Sequence, residues 1–195
     1  MTTPDLYLAS ASPRRSELLR QIGVAHQQFA CDVDERVLPG ESPDNYVARV
    51  ARAKAQAGLA RVPANAVVLA ADTAVILGGR ILGKPADADE AFAMLRALSG
   101  RTHEVLSVIA VADQSRLVNQ SVRTGVRFRV LADSEIHAYW LTGEPQDKAG
   151  SYGIQGLGAV FVEHIEGSYS AVVGLPLLET AALLRTFGVA CWQQP

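Results

Sequence analysis

The sequence predicts an α/β protein built on a mixed sheet, and three observations carry that expectation. Strand-like and helix-like stretches alternate along the 195 residues, but unevenly. Two alternating runs, 102–112 and 116–130, are joined only by Asp113-Gln114-Ser115, so they pair antiparallel. The chain also opens on a short apolar strand, a tight loop and a helix start between Leu6 and Arg15.

Length and composition bound the rest. A chain of 195 residues, 49% hydrophobic and 19% charged, is most simply one domain with a sizeable core. A formal charge of −2 gives no general pull towards nucleic acid or anionic membrane, so neither is expected as a partner. No stretch approaches a membrane span of roughly 18 apolar residues, and the N-terminus shows no signal-peptide pattern. A cytoplasmic location is the expectation. Cys31 and Cys191 are solitary, and His26, His103, His137 and His164 lack metal-ligand spacing.

Leu6 to Ala9 is apolar enough for a short buried strand, and Ser10-Ala11-Ser12 forms a small-residue loop. Ser12 stands at an N-cap position, with Pro13 suited to the first helical position. A helix start presents unpaired N–H donors and a positive dipole end, which attract anions. Arg14 and Arg15 in that first turn oppose the dipole unless an anion sits between them, and a forked guanidinium suits phosphate. The competing reading is two solvated surface arginines.

Leu18, Leu19 and Ile22 fall on one face of a helix from Pro13, and Gly23 stops it. Residues 26–33 read as a second strand leading into the acidic loop Asp32-Val33-Asp34-Glu35. Ser42-Pro43 starts a helix that runs to about Leu59, with Val47, Val50, Ala51 and Lys54 on one face. A lysine on that stripe either snorkels at its edge or reaches a bound phosphate.

Residues 66–77 are the most apolar run, with Asp72 in its middle. A carboxylate there needs a cation, a metal or a role as a base with a tuned pKa. Gly78-Gly79-Arg80-Ile81-Leu82-Gly83-Lys84 has Walker A spacing, but Pro85 stands where a magnesium-ligating Ser or Thr is required. The two adjacent glycines read instead as a hairpin turn. Lys84 is either a loop lysine or a phosphate contact.

Asp87 to Leu98 is helical, with Ala91, Met94, Leu95 and Leu98 inward and Gly100 closing it. Arg123, Arg127 and Arg129 share strand parity in the second long strand and read as a solvated sheet face. Asp133 or Ser134 caps a helix to Trp140, ending at Gly143. Residues 144–158 carry Gly150, Gly153, Gly156 and Gly158 in a long loop where backbone can approach a ligand closely. The glycine order is not a dinucleotide fingerprint, and a strand over 159–165 follows where a helix would be needed. After a turn at Gly167-Ser168-Tyr169, Leu177, Leu178, Ala181 and Leu184 set a closing helix, stopped by Gly188.

With these pieces in place the sequence resembles the Maf family of nucleoside triphosphate pyrophosphatases. The matching residues are Ser10-Ala11-Ser12-Pro13-Arg14-Arg15, Asp34-Glu35, the Ala-Arg-Ala-Lys ending at Lys54, and Ala71-Asp72-Thr73. They continue with Gly83-Lys84-Pro85, Leu98-Ser99-Gly100, residues 147–156, Gly167-Ser168-Tyr169 and Val173-Gly174-Leu175-Pro176. The motifs follow in the expected order over nearly the whole chain, and together they are highly specific. One departure is Ala11, where many relatives carry glycine.

The resemblance implies an elongated, two-lobed α/β fold similar to inosine triphosphate pyrophosphatases, with a single Maf-like domain over 1–195 and a cleft between the lobes. It implies hydrolysis between the α- and β-phosphates of a nucleotide, with a divalent metal, Mg²⁺ or Mn²⁺. Asp72 matches the family's proton acceptor. Arg14, Thr73 and Gln155 match the positions associated with substrate choice and resemble the dTTP/UTP branch. Ser12, Arg15, Lys54 and Lys84 are expected to meet phosphate, and Glu35 and Asp72 to ligate the metal. The family also suggests homodimers. Gln155 itself has an amide donor and acceptor that suit the edge of a uracil or thymine ring. Two alternatives remain: a 7-methyl-GTP-type pyrophosphatase, and a nucleotide-binding regulator of cell division with little turnover.

Overall fold

The computed structural model describes residues 5–192. Its centre is a seven-stranded mixed sheet flanked by helices. The strands are β1 (Leu6–Ala9), β2 (Gln27–Phe29), β3 (Val67–Leu77), β4 (Arg80–Leu82), β5 (Thr102–Ala112), β6 (Leu117–Phe128) and β7 (Val162–Glu166). They lie in the order β2-β1-β3-β5-β6-β7, with β4 paired to β3. β1 is parallel to both β2 and β3, whereas β3–β4 and β6–β7 are antiparallel. The helices are α1 (Pro13–Gln21), α2 (Pro43–Leu59), α3 (Ala88–Leu98), α4 (Asp133–Leu141), α5 (Tyr169–Val173) and α6 (Leu177–Thr186).

The chain divides into two compact units. One holds the chain up to Asp72, Ser107–Val122 and the chain from Gly174 onward; the other holds Thr73–Leu106 and Arg123–Val173.

In the first unit β1 is almost wholly buried and α2 packs on it. Val47, Val50, Ala51, Lys54 and Ala55 all face inward from α2, the stripe its spacing predicts. The side chain of Ser42 caps this helix, accepting from Asn45 N at 3.3 Å. Gly58 permits a close approach to the sheet: a Cβ there would lie 2.8 Å from Val68 Cγ1 and 3.1 Å from Ala9 Cβ. Lys54, one turn earlier on the same face, is thereby brought down onto the sheet.

The second unit has an aromatic core. Phe128 meets Tyr152 edge-on at 4.7 Å and His103 at 5.0 Å, and Tyr139 meets Phe161 at 4.9 Å. Such contacts are worth about 0.5–1.5 kcal/mol each beyond area burial. Gly78 and Gly79, both with positive φ (56° and 79°), turn β3 back into β4 as a hairpin. In α3, Asp87 Oδ1 accepts from Glu90 N at 2.9 Å while Glu90 Oε2 accepts from Ala86 N at 2.7 Å. Arg123 and Arg127 pair with Glu104 and Glu163 on exposed surface, as expected of a solvated face, whereas Arg129 lies past the end of β6 and reaches Glu135 and the Val160 carbonyl.

Several expectations change. Neither Asp133 nor Ser134 caps α4: Ala132 holds the N-cap position, and Glu135 Oε2 reaches back to accept from Ala132 N at 3.0 Å. The second strand is only Gln27–Phe29, because the chain leaves the sheet before Cys31. Residues 144–158 are not one open loop: they carry the 3₁₀ turns Glu144–Asp147 and Ala149–Ser151 and the start of a third, Leu157–Phe161, so β7 starts at Val162 rather than 159. The turn at Gly167 runs directly into the five-residue α5, too short to give a periodic signal. In α6 the buried positions are Thr180, Leu183 and Leu184, whereas Leu178 is 79% exposed. The inward face therefore lies on the other side of Leu184 from the one the leucines suggest.

Candidate active site

The loop after β1 is organised by Ser10, not by Ser12. Ser10 Oγ accepts from Ser12 N at 3.2 Å and from Arg15 Nη1 at 3.1 Å. The Ser12 hydroxyl occupies the N-cap position of α1 but makes no capping bond. Gln28 Nε2, from β2, donates to Ser10 O at 2.8 Å and Ser12 O at 3.0 Å, fixing the loop from the neighbouring strand. Arg15 Nε donates to Gly174 O at 2.8 Å, which anchors its guanidinium beside the C-terminal part of the same unit. Burial pushes the Arg15 guanidinium below its ordinary value, while the Asp72 charge acts the other way. Arg14 is partly buried in the same first turn.

Asp72, in mid-β3, is 6% exposed, and Lys54 from α2 is 8% exposed. Lys54 Nζ lies 2.9 Å from Asp72 Oδ1 and 2.9 Å from Glu35 Oε1. The lysine therefore does not snorkel; it stands between two carboxylates. Burial raises the Asp72 carboxyl above its ordinary value, against the opposing charges of Lys54 and Arg15. Tyr46, on α2, is held up to about 12 by burial first and then by the negative charges of Asp72 and Glu35.

Glu35 sits on an exposed loop, yet its backbone is held on both sides. Arg49 Nη1 donates to Asp34 O at 3.3 Å and Nη2 to Arg36 O at 2.9 Å. Glu41 fixes that guanidinium in turn, with Nε–Oε1 2.7 Å and Nη2–Oε2 2.8 Å. The Arg49 fork thus frames Glu35. Sequence reasoning did not find Arg49, Glu41, Ser10 or Gln28. Ser10 lay in the small-residue loop already singled out, but the others act on main-chain carbonyls or on each other and leave no motif.

One unit thus brings Ser12, Arg14, Arg15, Glu35, Lys54 and Asp72 into one part of the fold, with direct bonds linking Lys54 to both acids. Thr73, Lys84 and Gln155 belong to the other unit. Thr73 follows Asp72 directly on β3. Lys84 is exposed, in the segment after β4, and Gly150 N donates to the preceding Gly83 O at 3.0 Å. Gln155 is exposed between Ile154, which is buried, and Gly156.

The oxygen donor chemistry suits a hard divalent cation. The Asp72 and Glu35 carboxylates meet at the Lys54 ammonium. Magnesium commonly takes one or two protein carboxylates and completes its shell with water and substrate phosphates. Among the described residues no group of three or more His, Cys, Asp or Glu side chains forms a fuller cage.

These geometries can be set beside known proteins. The family described as Maf-like protein matches residues 5–187. A dTTP/UTP pyrophosphatase of Pseudoalteromonas translucida is 54% identical over 185 residues, covering 95% of this chain and 98% of the relative. One of Anaeromyxobacter dehalogenans is 56% identical over 197 residues, covering 98% and 99%. One of Shigella sonnei is 54% identical over 183 residues, covering 94% and 93%. Among solved structures, the Staphylococcus aureus Ham1 protein gives a TM-score of 0.41 at 15% identity, over 66% of this chain and 72% of that one.

Proposed function

The chain belongs to the Maf-like protein family, and we propose that it hydrolyses dTTP and UTP to the monophosphate and pyrophosphate. The observation that carries the reading is a nearly buried Asp72 whose carboxyl is raised by burial and paired to Lys54. Three relatives at 54–56% identity over almost the full chain, each a dTTP/UTP pyrophosphatase, support the substrate class.

In this reading Asp72 takes a proton from a water aimed at the α-phosphorus. The water oxygen forms the new bond to that phosphorus, the bond to the α–β bridging oxygen breaks, and pyrophosphate leaves with its electron pair. A raised carboxyl is the better base, since a carboxylate at its ordinary value holds a proton too weakly. Asp72 and Glu35 are the residues that would hold the divalent cation, which would supply charge neutralisation on the phosphate oxygens. Arg15, Lys54, Lys84 and the N–H groups of the Ser12 loop bind the triphosphate. Arg14, Thr73 and Gln155 discriminate among nucleotides, with the Gln155 amide suited to a uracil or thymine edge.

The test is turnover of dTTP, UTP, CTP and 7-methyl-GTP with Mg²⁺ or Mn²⁺ in water labelled with heavy oxygen. Preference for dTTP and UTP with the label in the monophosphate supports the reading. Label in pyrophosphate contradicts attack at the α-phosphorus, and preference for 7-methyl-GTP contradicts the substrate assignment.

A further inference from the structure

The segment around Gln155 is tied down by two bonded side chains, Tyr139 on the side before it and Glu144 on the side after it. Glu144, in the 3₁₀ turn after α4, accepts three bonds: from Leu157 N to Oε2 at 2.8 Å, and from Gly158 N and Tyr139 Oη to Oε1 at 3.0 and 2.7 Å. Tyr139 Oη also accepts from Gly153 N at 3.1 Å. Gly156 N bonds back to Gly153 O at 3.3 Å, closing a turn with Gln155 inside it. Beneath it, Tyr139 is buried and packs edge-on against Phe161. Lys148 Nζ donates to Glu144 O at 2.8 Å and holds the glutamate's own backbone.

Three glycines of the loop are explained by this pair. A Cβ on Gly156 would lie 2.2 Å from Glu144 Oε2, and one on Gly158 2.6 Å from Tyr139 Oη. One on Gly153 would lie 2.8 Å from Lys148 Cε and 3.1 Å from Glu144 Oε1. The absent side chains make room for Glu144, Tyr139 and Lys148 rather than only for flexibility. The Glu144 carboxyl is partly buried, which pushes it up, but the N–H bonds from Gly158 and Leu157 outweigh this and hold it below its ordinary value. It therefore stays an acceptor for all three donors at neutral pH.

We infer that Glu144, with Tyr139, is a positioning residue that aims the Gln155 amide and so sets the discrimination among nucleobases. This rests on the reading of Gln155 as the base-contacting residue of a dTTP/UTP pyrophosphatase. Glu144 and Tyr139 both act through the turn that carries Gln155. A Gln at 144 keeps the size but loses the charge, and its NH₂ would face a main-chain N–H donor.

The test compares kcat/KM for dTTP with that for CTP in wild type, E144Q, Y139F, Q155A and E144Q/Q155A, with thermal stability followed in parallel. The dTTP/CTP ratio is expected to fall about ten-fold in E144Q and less in Y139F. Adding E144Q to Q155A should leave the ratio of Q155A unchanged, because both act at one amide. Y139F removes a single hydroxyl and carries the test should E144Q not fold. A wild-type ratio retained in both E144Q and Y139F, while Q155A lowers it, overturns the positioning role alone. A ratio unmoved by Q155A overturns the role of Gln155 and the positioning role with it. No turnover of dTTP by wild type overturns the proposed function itself.

Discussion

The ammonium of Lys54 lies 2.9 Å from Oδ1 of Asp72, and both side chains are nearly buried. Neither group is comfortable alone in that environment. Burying an isolated charge is costly, and breaking a buried pair by removing one partner leaves the other uncompensated. The pair links α2 to mid-β3 and also fixes the charge state of the proposed base.

Lys54→Met should therefore destabilise the fold by about 3–5 kcal/mol at neutral pH, read by urea unfolding. The effect should shrink on acidification, as Asp72 takes up a proton and the uncompensated charge disappears. Stability that is unchanged by the substitution would return Lys54 to an edge lysine.

Activity should rise with pH as Asp72 loses its proton. Its carboxyl is raised by burial, so the acid limb of kcat/KM should lie above the ordinary carboxylate range. In Lys54→Met the limb should move higher still, because Lys54 is the foremost charge holding the carboxyl down. A pH–rate profile of the two proteins measures both shifts.

His103 predicts a separate pH effect on stability. It is 2% exposed, donates to or accepts from Tyr152 Oη through Nε2 at 2.9 Å, and among the described residues its Nδ1 has no hydrogen-bond partner. Burial lowers it to about 4. Between its ordinary value and about 4 the unfolded chain binds the proton and the folded chain does not, so stability falls as pH falls through that window. The loss is at most about 3 kcal/mol. Urea unfolding from pH 7 to 4.5 should show the decline, and His103→Phe should flatten it.

Much of this architecture was readable in the sequence. Pro13, Ser42 and Asp87 mark helix starts, and the 47/50/51/54 spacing of α2 gives its buried face. The apolar setting of Asp72 already demanded a partner. What the sequence hides is which residues meet. Arg49 frames Glu35 by binding the carbonyls of Asp34 and Arg36, which every residue type possesses. Glu144 binds the N–H groups of Leu157 and Gly158, again with no side-chain signature. The α6 face misled because Leu178 is an exposed leucine beside buried Thr180, so apolar spacing pointed to the wrong stripe.

Arg49→Lys keeps the positive charge but removes the planar fork that binds two carbonyls and Glu41 together. Glu35 should then be less well placed for the divalent cation. The metal concentration giving half-maximal turnover should rise several-fold, with Mn²⁺ affinity measured directly in the presence of nucleotide. Unchanged metal dependence would detach Arg49 from the site.

Gly150→Ala should cost about 1–3 kcal/mol in thermal or urea unfolding. Gly150 has a φ of +69°, and a Cβ there would lie 2.9–3.0 Å from the side chain of Val75. Its N–H bond to Gly83 O also holds the segment that leads into Lys84, so KM for nucleotide should rise together with the loss of stability.

The most direct measurement is turnover of dTTP by wild type and Asp72→Asn, with nucleotide binding followed in the same samples. The substitution keeps the shape of the side chain and removes the proton acceptor. Turnover should fall by about 10²–10⁴ while dTTP still binds. Undiminished turnover in Asp72→Asn would contradict the central claim that Asp72 is the base.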